Sequence, residues 1–170
     1  CCLPPADRDA QHFYVPESDK TLVAQVLTVV RQEEPISLDL LCRRVIAAWG
    51  MGRVGGRIEE RIRRVCEVAR LRHTTTGDVD FFWMPTTAVE AYDMFRTPGS
   101  TDETRRRPED LPAEEIANAA SELLENQVSM PEGDLVRELA RIFGFQRTGA
   151  SVTQALKEGL KYLVHKGVAA

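Results

Sequence analysis

Three groups of residues in this sequence have types and spacings that could do chemistry. The first is thiols and imidazoles: Cys1, Cys2, Cys42 and Cys66, with His12, His73 and His165. Structural zinc draws its ligands in close pairs such as C-x-x-C. No such pair occurs, and the histidines stand far apart. Cys42 and Cys66 fall inside apolar helical patterns, so the expectation is two small buried thiols in a reducing compartment, and no metal.

The second group is Gly50-Met51-Gly52-Arg53-Val54-Gly55, a match to G-x-G-x-x-G. That fingerprint cradles a pyrophosphate when it follows a strand and opens a helix inside a βαβ unit. Here it follows an amphipathic helix, so it reads as a tight turn between helices in which glycine supplies positive φ. No cofactor is expected. A Walker A sequence is missing, and no paired-carboxylate and lysine arrangement of a nuclease stands out. Ser/His/Asp assemblies meet in space rather than in sequence, and nothing here favours one. The isolated chain is therefore expected not to be an enzyme.

The third group is the arginines. Between Leu41 and His73 stand nine arginines and three glutamates. A helix is expected over residues 56–71, with Ile58, Ile62, Val65, Cys66 and Ala69 as its apolar stripe. At 100° per residue, Arg57, Arg61 and Arg64 fall on one exposed flank, with Arg53 just ahead. Arg63 falls on the other flank beside Glu59, Glu60 and Glu67. A strip of guanidinium groups on such a helix suits DNA phosphates, and Arg53, Arg57, Arg61, Arg64 and Arg72 are the candidate DNA-binding residues. The competing reading is a solvated or partner-binding face. Glu59–Arg63 and Glu60–Arg64 are i,i+4 pairs that favour a helix in water, and the excess of arginine over lysine also fits genomic base composition.

The elements around this strip follow from pattern. Residues 1–19 are proline-rich and polar and read as a tail, with Phe13, Tyr14 and Val15 available to dock on the body. A helix is expected over residues 20–31 with Asp19 as its cap, broken by Pro35. Ser37 caps a second helix that turns Leu40, Leu41, Val45, Ile46, Ala48 and Trp49 inward and ends at Gly50. After the third helix, residues 72–76 and 79–84 are β-prone around a Gly77-Asp78 turn, which predicts a hairpin. Of Phe82 and Trp83, one is expected inward, and the other packs on the following segment or stands exposed as a wedge for a duplex junction. Three helices and a hairpin in that order are the parts of a winged helix. Residues 87–112 hold Pro98, Gly99, Arg105, Arg106, Arg107, Pro108 and Pro112 and read as a linker with a short helix near residues 87–94.

The pattern then returns. A shift of 94 positions aligns Leu41 with Leu135, Trp49 with Phe143, Gly50 with Gly144, Arg53 with Arg147, Gly55 with Gly149, Ile58 with Val152 and Ile62 with Leu156, without a gap. The shared aromatic-Gly-x-x-Arg-x-Gly turn points to an internal duplication. The copies differ where Arg57, Arg61 and Arg64 give way to Ser151, Ala155 and Glu158. The second copy reaches Val168-Ala169-Ala170 where a wing would begin, so its wing is expected to be short, missing or supplied by other residues.

Pro35-Ile36, Arg43-Arg44-Val45, Trp49-Gly50, Arg53-x-Gly55 and Phe82-Trp83 form a set of short motifs. With Glu114-Glu115-Ile116 and Ile142-Phe143-Gly144-Phe145-x-Arg147-x-Gly149, that set resembles a bacterial domain of unknown function. This domain lies at the C-terminal end of large superfamily-one DNA-helicase-like proteins, commonly after a nuclease-like domain of the very-short-patch-repair type. The resemblance runs from about residue 20 to residue 167. It implies a DNA-processing parent protein and carries over no catalytic residue.

Composition sets the outer limits. Net charge is −4, which speaks against a chain that is basic throughout but leaves a local basic face open. No run approaches a membrane span and no signal peptide is visible, so a cytoplasmic location is expected. The chain opens with Cys-Cys-Leu-Pro-Pro rather than Met, as a piece of a longer protein would. The fold expected is mainly α with small hairpin wings. It comprises a tail (1–19), a first winged-helix-like unit (20–86), a linker (87–112) and a second unit (113–170). The function expected is a DNA-binding accessory module of low sequence specificity that also contacts the helicase or nuclease domains of its parent. The rivals are a protein-docking module and a free-standing transcription regulator.

Overall fold

The structure, a computed structural model, describes residues 3, 10–101, 104–125 and 130–167. It is mainly helical, with one small antiparallel sheet of three strands. The chain divides into two compact units, Cys1–Thr75 with Val79–Thr87, and Thr76–Asp78 with Ala88–Ala170.

Unit 1 runs α1 (Asp19–Glu33), β1 (Ile36–Ser37), α2 (Leu38–Ala47), α3 (Gly56–Val68), β2 (Arg72–Thr76) and β3 (Val79–Trp83). The sheet order is β1-β3-β2, with Ile36 opposite Phe82 and Ser37 opposite Phe81. Pro35 ends α1 as expected, and Ser37 caps α2 by accepting a hydrogen bond from the Leu40 amide at 3.2 Å. The core collects Leu22, Val26, Val29 and Val30 of α1, Leu41, Val45 and Ile46 of α2, Ile58, Ile62 and Val65 of α3, and Phe82 of β3.

Two expectations change in this unit. Asp19 does not cap α1. Ser18 precedes the helix, its hydroxyl donates to the His12 carbonyl, and Asp19 binds Arg61 instead. The hairpin aromatics are not wedges, because Phe81, Phe82 and Trp83 are all buried, and the Trp83 indole N–H donates to the Thr74 hydroxyl at 3.1 Å. The segment read as a tail also takes a definite path. Two single-turn 3-10 helices, His12–Tyr14 and Pro16–Ser18, lead into α1, and Phe13 is fully buried edge-on to Trp49. The remainder of that tail, residues 1, 2 and 4–9, lies outside the described residues.

Unit 2 is built on α4 (Ala113–Glu125), α5 (Glu132–Ile142) and α6 (Ala150–His165). α4 and α6 pack closely because Gly159 lacks a side chain; a Cβ there would lie 2.3 Å from Ile116. Residues 88–112, expected as a linker, belong to this unit. A 3-10 turn at Val89–Ala91 stands where a short helix was expected, Phe95 stacks edge-on near Phe143, and Glu115, fully buried on α4, binds both Arg96 and Arg106. Among the described residues unit 2 contributes no strand of its own. The expected start of its wing, residues 168–170, lies outside them.

The 94-position shift maps secondary structure as well as sequence. α1, α2 and α3 begin at residues 19, 38 and 56, and α4, α5 and α6 at 113, 132 and 150. The turns agree in detail. Trp49 and Phe143 are both buried, and each is followed by a glycine at positive φ, +69° at Gly50 and +80° at Gly144. Met51 N–H donates to Ile46 O and Phe145 N–H donates to Ala140 O, the same bond 94 residues apart. Gly55 and Gly149 are the caps of α3 and α6.

Candidate nucleic-acid interface

The face that could meet DNA is assembled by the turn after α2 and the start of α3. Gly50, at positive φ, reverses the chain, residues 51–55 form no helix or strand, and Gly55 opens α3 without a side-chain cap. Arg53, Val54, Gly55, Gly56, Arg57 and Ile58 thereby surround a shallow pocket of about 440 Å³ whose remaining wall is Tyr14. Arg53 is exposed and has no ion pair or hydrogen bond among the described residues. Arg57 is exposed as well, and its guanidinium lies over the Tyr14 ring at 4.8 Å from the centroid, a cation–π contact that leaves its N–H groups open to solvent.

The other candidates separate from this pair. Arg64, two turns along α3, is exposed and lies 3.3 Å from Glu60, a surface pair of little energetic weight. Arg61, expected on the same exposed flank, is turned inward. Its Nε donates to Phe13 O at 2.7 Å, and its Nη2 donates to Val15 O at 2.9 Å and to Asp19 at 2.6 Å. Helical periodicity placed it facing solvent, but residues 13–19 cover that sector, and their backbone carbonyls need a donor. Arg72 is exposed on β2, and its Nη1 donates to Thr87 O at 2.7 Å.

Sequence reasoning did not find the Tyr14 platform as part of the face, nor the tie between α3 and the hairpin. The Arg63 guanidinium bonds Asp80, which also accepts from Thr75 at 3.1 Å. The hydrogen bond to Arg63 holds the Asp80 carboxyl below the usual aspartate range and raises Arg63 in turn. The signal was available only as an arginine on the second flank and an acidic residue in a β-prone run. The thiols of Cys42 and Cys66 are buried, and desolvation pushes each up to about 12, so they are poor nucleophiles at neutral pH.

The exposed charges on α3 are balanced: Arg57, Arg63 and Arg64 against Glu59, Glu60 and Glu67. With those six in balance, the further positive charge of the strip is Arg53, on the amino-terminal approach to α3 beside Arg57. No group of histidine, cysteine and carboxylate side chains suited to a metal occurs among the described residues. No helix among them is long and apolar enough to cross a membrane.

Residues 11–60 match a family described as a protein of unknown function, DUF3320. The match takes in the 3-10 turns, α1, β1, α2 and the first turn of α3, and so includes Tyr14, Arg53 and Arg57 while Arg61, Arg64 and Arg72 lie beyond it. No curated protein and no solved structure matches the chain.

Proposed function

We propose that the chain is a non-catalytic DNA-binding accessory module of a larger helicase- or nuclease-type protein. In this reading it is built from two tandem winged-helix-like units related by duplication. Unit 1's order α1-β1-α2-α3-β2-β3 with sheet order β1-β3-β2 supports the first winged unit. The shared helix starts and turns 94 residues apart support the duplication. The resemblance to C-terminal domains of helicase-like proteins supports the DNA-processing setting.

The observation that carries the reading is the pair Arg53 and Arg57, both exposed and opening on one pocket at the head of α3. The third helix of such a unit is the element that approaches a groove. Guanidinium groups there contact phosphates without reading sequence. Arg61 leaves the contact set because it is spent on residues 13–19, and Arg64 completes a set of three. Binding to labelled duplex or forked DNA is then weak, with dissociation constants of roughly 10⁻⁴ to 10⁻⁶ M at physiological salt. Log affinity falls with log salt at a slope of about −2.7 for three neutralised phosphates. Anisotropy titrations at several salt concentrations test this, and absence of binding at about 50 mM salt would remove the reading.

A second reading, a module that docks the helicase or nuclease domain of its parent, is favoured by the balanced charge along the exposed face of α3. It requires binding to a protein partner and no DNA binding.

A further inference from the structure

Unit 2 carries an apolar groove of about 670 Å³ at one end of its helices, lined by Leu124, Met130, Leu135, Leu160, Leu163 and Val164. Val164 is more than half exposed there. Lys157 stands at the rim, 2.9 Å from Glu132, in a pair exposed on both sides. The positions 94 residues earlier show what such a face does when it is filled. Val30, Ile36, Leu41 and Cys66, which correspond to Leu124, Met130, Leu135 and Leu160, are all buried in unit 1. They share their core with Phe82 of β3, which stands opposite Ile36 in the sheet. Lys157 corresponds to Arg63, the residue that binds Asp80 on the same strand.

We infer that the groove of unit 2 is a seat for an extended segment of another polypeptide, bearing a carboxylate two residues before an aromatic side chain, as Asp80 and Phe82 do in unit 1. The aromatic ring would fill the space over Met130, Leu135 and Leu160, and the carboxylate would take Lys157 from its solvated pair with Glu132. Met130 and Pro131 stand where Ile36 and Ser37 pair with β3. Pro131 has no N–H to give, so side chains rather than a backbone ladder carry the seat. The inference rests on the 94-residue correspondence in the proposed function and is independent of DNA binding.

The chain labelled with ¹³C at its methionine methyls gives four signals, from Met51, Met84, Met94 and Met130. A synthetic peptide with the sequence of residues 72–84 is the probe. The expected result is a saturable shift of Met130 with Met51 and Met84 unmoved. Val164→Glu, at an exposed position, weakens binding more than about tenfold by placing a charge in the groove. Lys157→Glu, or a peptide with lysine in place of its second aspartate, each weakens it up to about fivefold, and the two changes together restore it. No shift of Met130 at millimolar peptide overturns the inference. So does binding indifferent to both charge changes, since any apolar peptide would then serve. A Met130 shift that follows protein concentration without peptide also overturns it, in favour of a second copy as occupant. Failure of the correspondence itself would appear without any peptide, in a loss of stability on alanine substitution at one of Gly50 and Gly144 with none at the other.

Discussion

The two units solve one problem with opposite chemistry. Each must hold the segment that precedes its first helix. In unit 1 the cation is on the body: Arg61 of α3 donates to the carbonyls of Phe13 and Val15 and to Asp19, and Phe13 plugs the core against Trp49. In unit 2 the anion is on the body: Glu115 of α4 accepts from the Arg96 backbone N–H at 3.0 Å, from its Nε at 2.8 Å, and from Arg106 Nη2 at 2.7 Å. Arg106 also donates to Arg96 O, closing the cluster. The consequence is that the two units keep their helix starts and turns 94 residues apart while their charges serve different ends. Unit 1 commits one arginine internally and leaves Arg53 and Arg57 open. Unit 2 has Ser151 and Ala155 at the positions of Arg57 and Arg61.

The largest expected effect tests that contrast in unit 2. Glu115→Gln leaves two arginines facing a neutral amide inside the unit and should destabilise it by about 3–5 kcal/mol, as removal of one member of a buried ionic cluster does. Hydrogen exchange resolved by segment should show loss of protection over residues 95–101, 104–106 and α4. Unchanged exchange there would mean that apolar contacts alone hold the segment.

The paired turns are the next test. Alanine at Gly50 or Gly144 must adopt the αL region, at about 1–2 kcal/mol in each. At Gly144 a Cβ would also lie 2.5 Å from Cγ of Pro98, which adds on the order of 1–3 kcal/mol of overpacking at that position alone. Denaturant unfolding of the two variants should therefore rank Gly144→Ala as the worse. A change at one site with none at the other would break the equivalence of the turns.

Arg61→Ala should cost about 1.5–3 kcal/mol, the range for hydrogen bonds made by a charged donor. Its mark should be released exchange at residues 12–19. Retention of protection there would show that Phe13 suffices.

The smallest effect concerns Asp80. Its carboxyl is held below the usual range, so its contribution is present above the ordinary aspartate value and is lost as pH falls through the depressed folded value. Asp80→Asn should cost under about 1 kcal/mol at neutral pH because Arg63 is half exposed and screened by salt. The gap from wild type should close in acid. A gap that persists at low pH would assign the effect to packing.

Much of this contrast was legible in the residues. The stripe from Ile58 to Cys66, the Ser37 cap, the Gly77-Asp78 turn and the ungapped 94-position shift are local or periodic signals, and the helices and hairpin follow them. What escaped depends on partners far along the chain. Arg61 turns inward only because residues 13–19 cross it, and Asp19 serves that arginine rather than its own helix. Glu115 looked like an ordinary acidic residue in the first turn of a helix, with its two arginines in a proline-rich stretch that read as a linker. Periodicity places a side chain on a face, but it does not report what covers that face.

The salt dependence of DNA binding by the Arg53→Ala/Arg57→Ala double variant tests the central claim most directly. Both side chains lie off the buried stripe, so the variant should fold. Affinity should fall for every DNA sequence, and the log–log salt slope should become shallower by about 1.8, while Ser151→Ala/Gln154→Ala on the matching helix leaves the slope near its wild-type value of about −2.7. A folded double variant that binds DNA with wild-type affinity and slope would contradict the account and pass the arginine face to a protein partner.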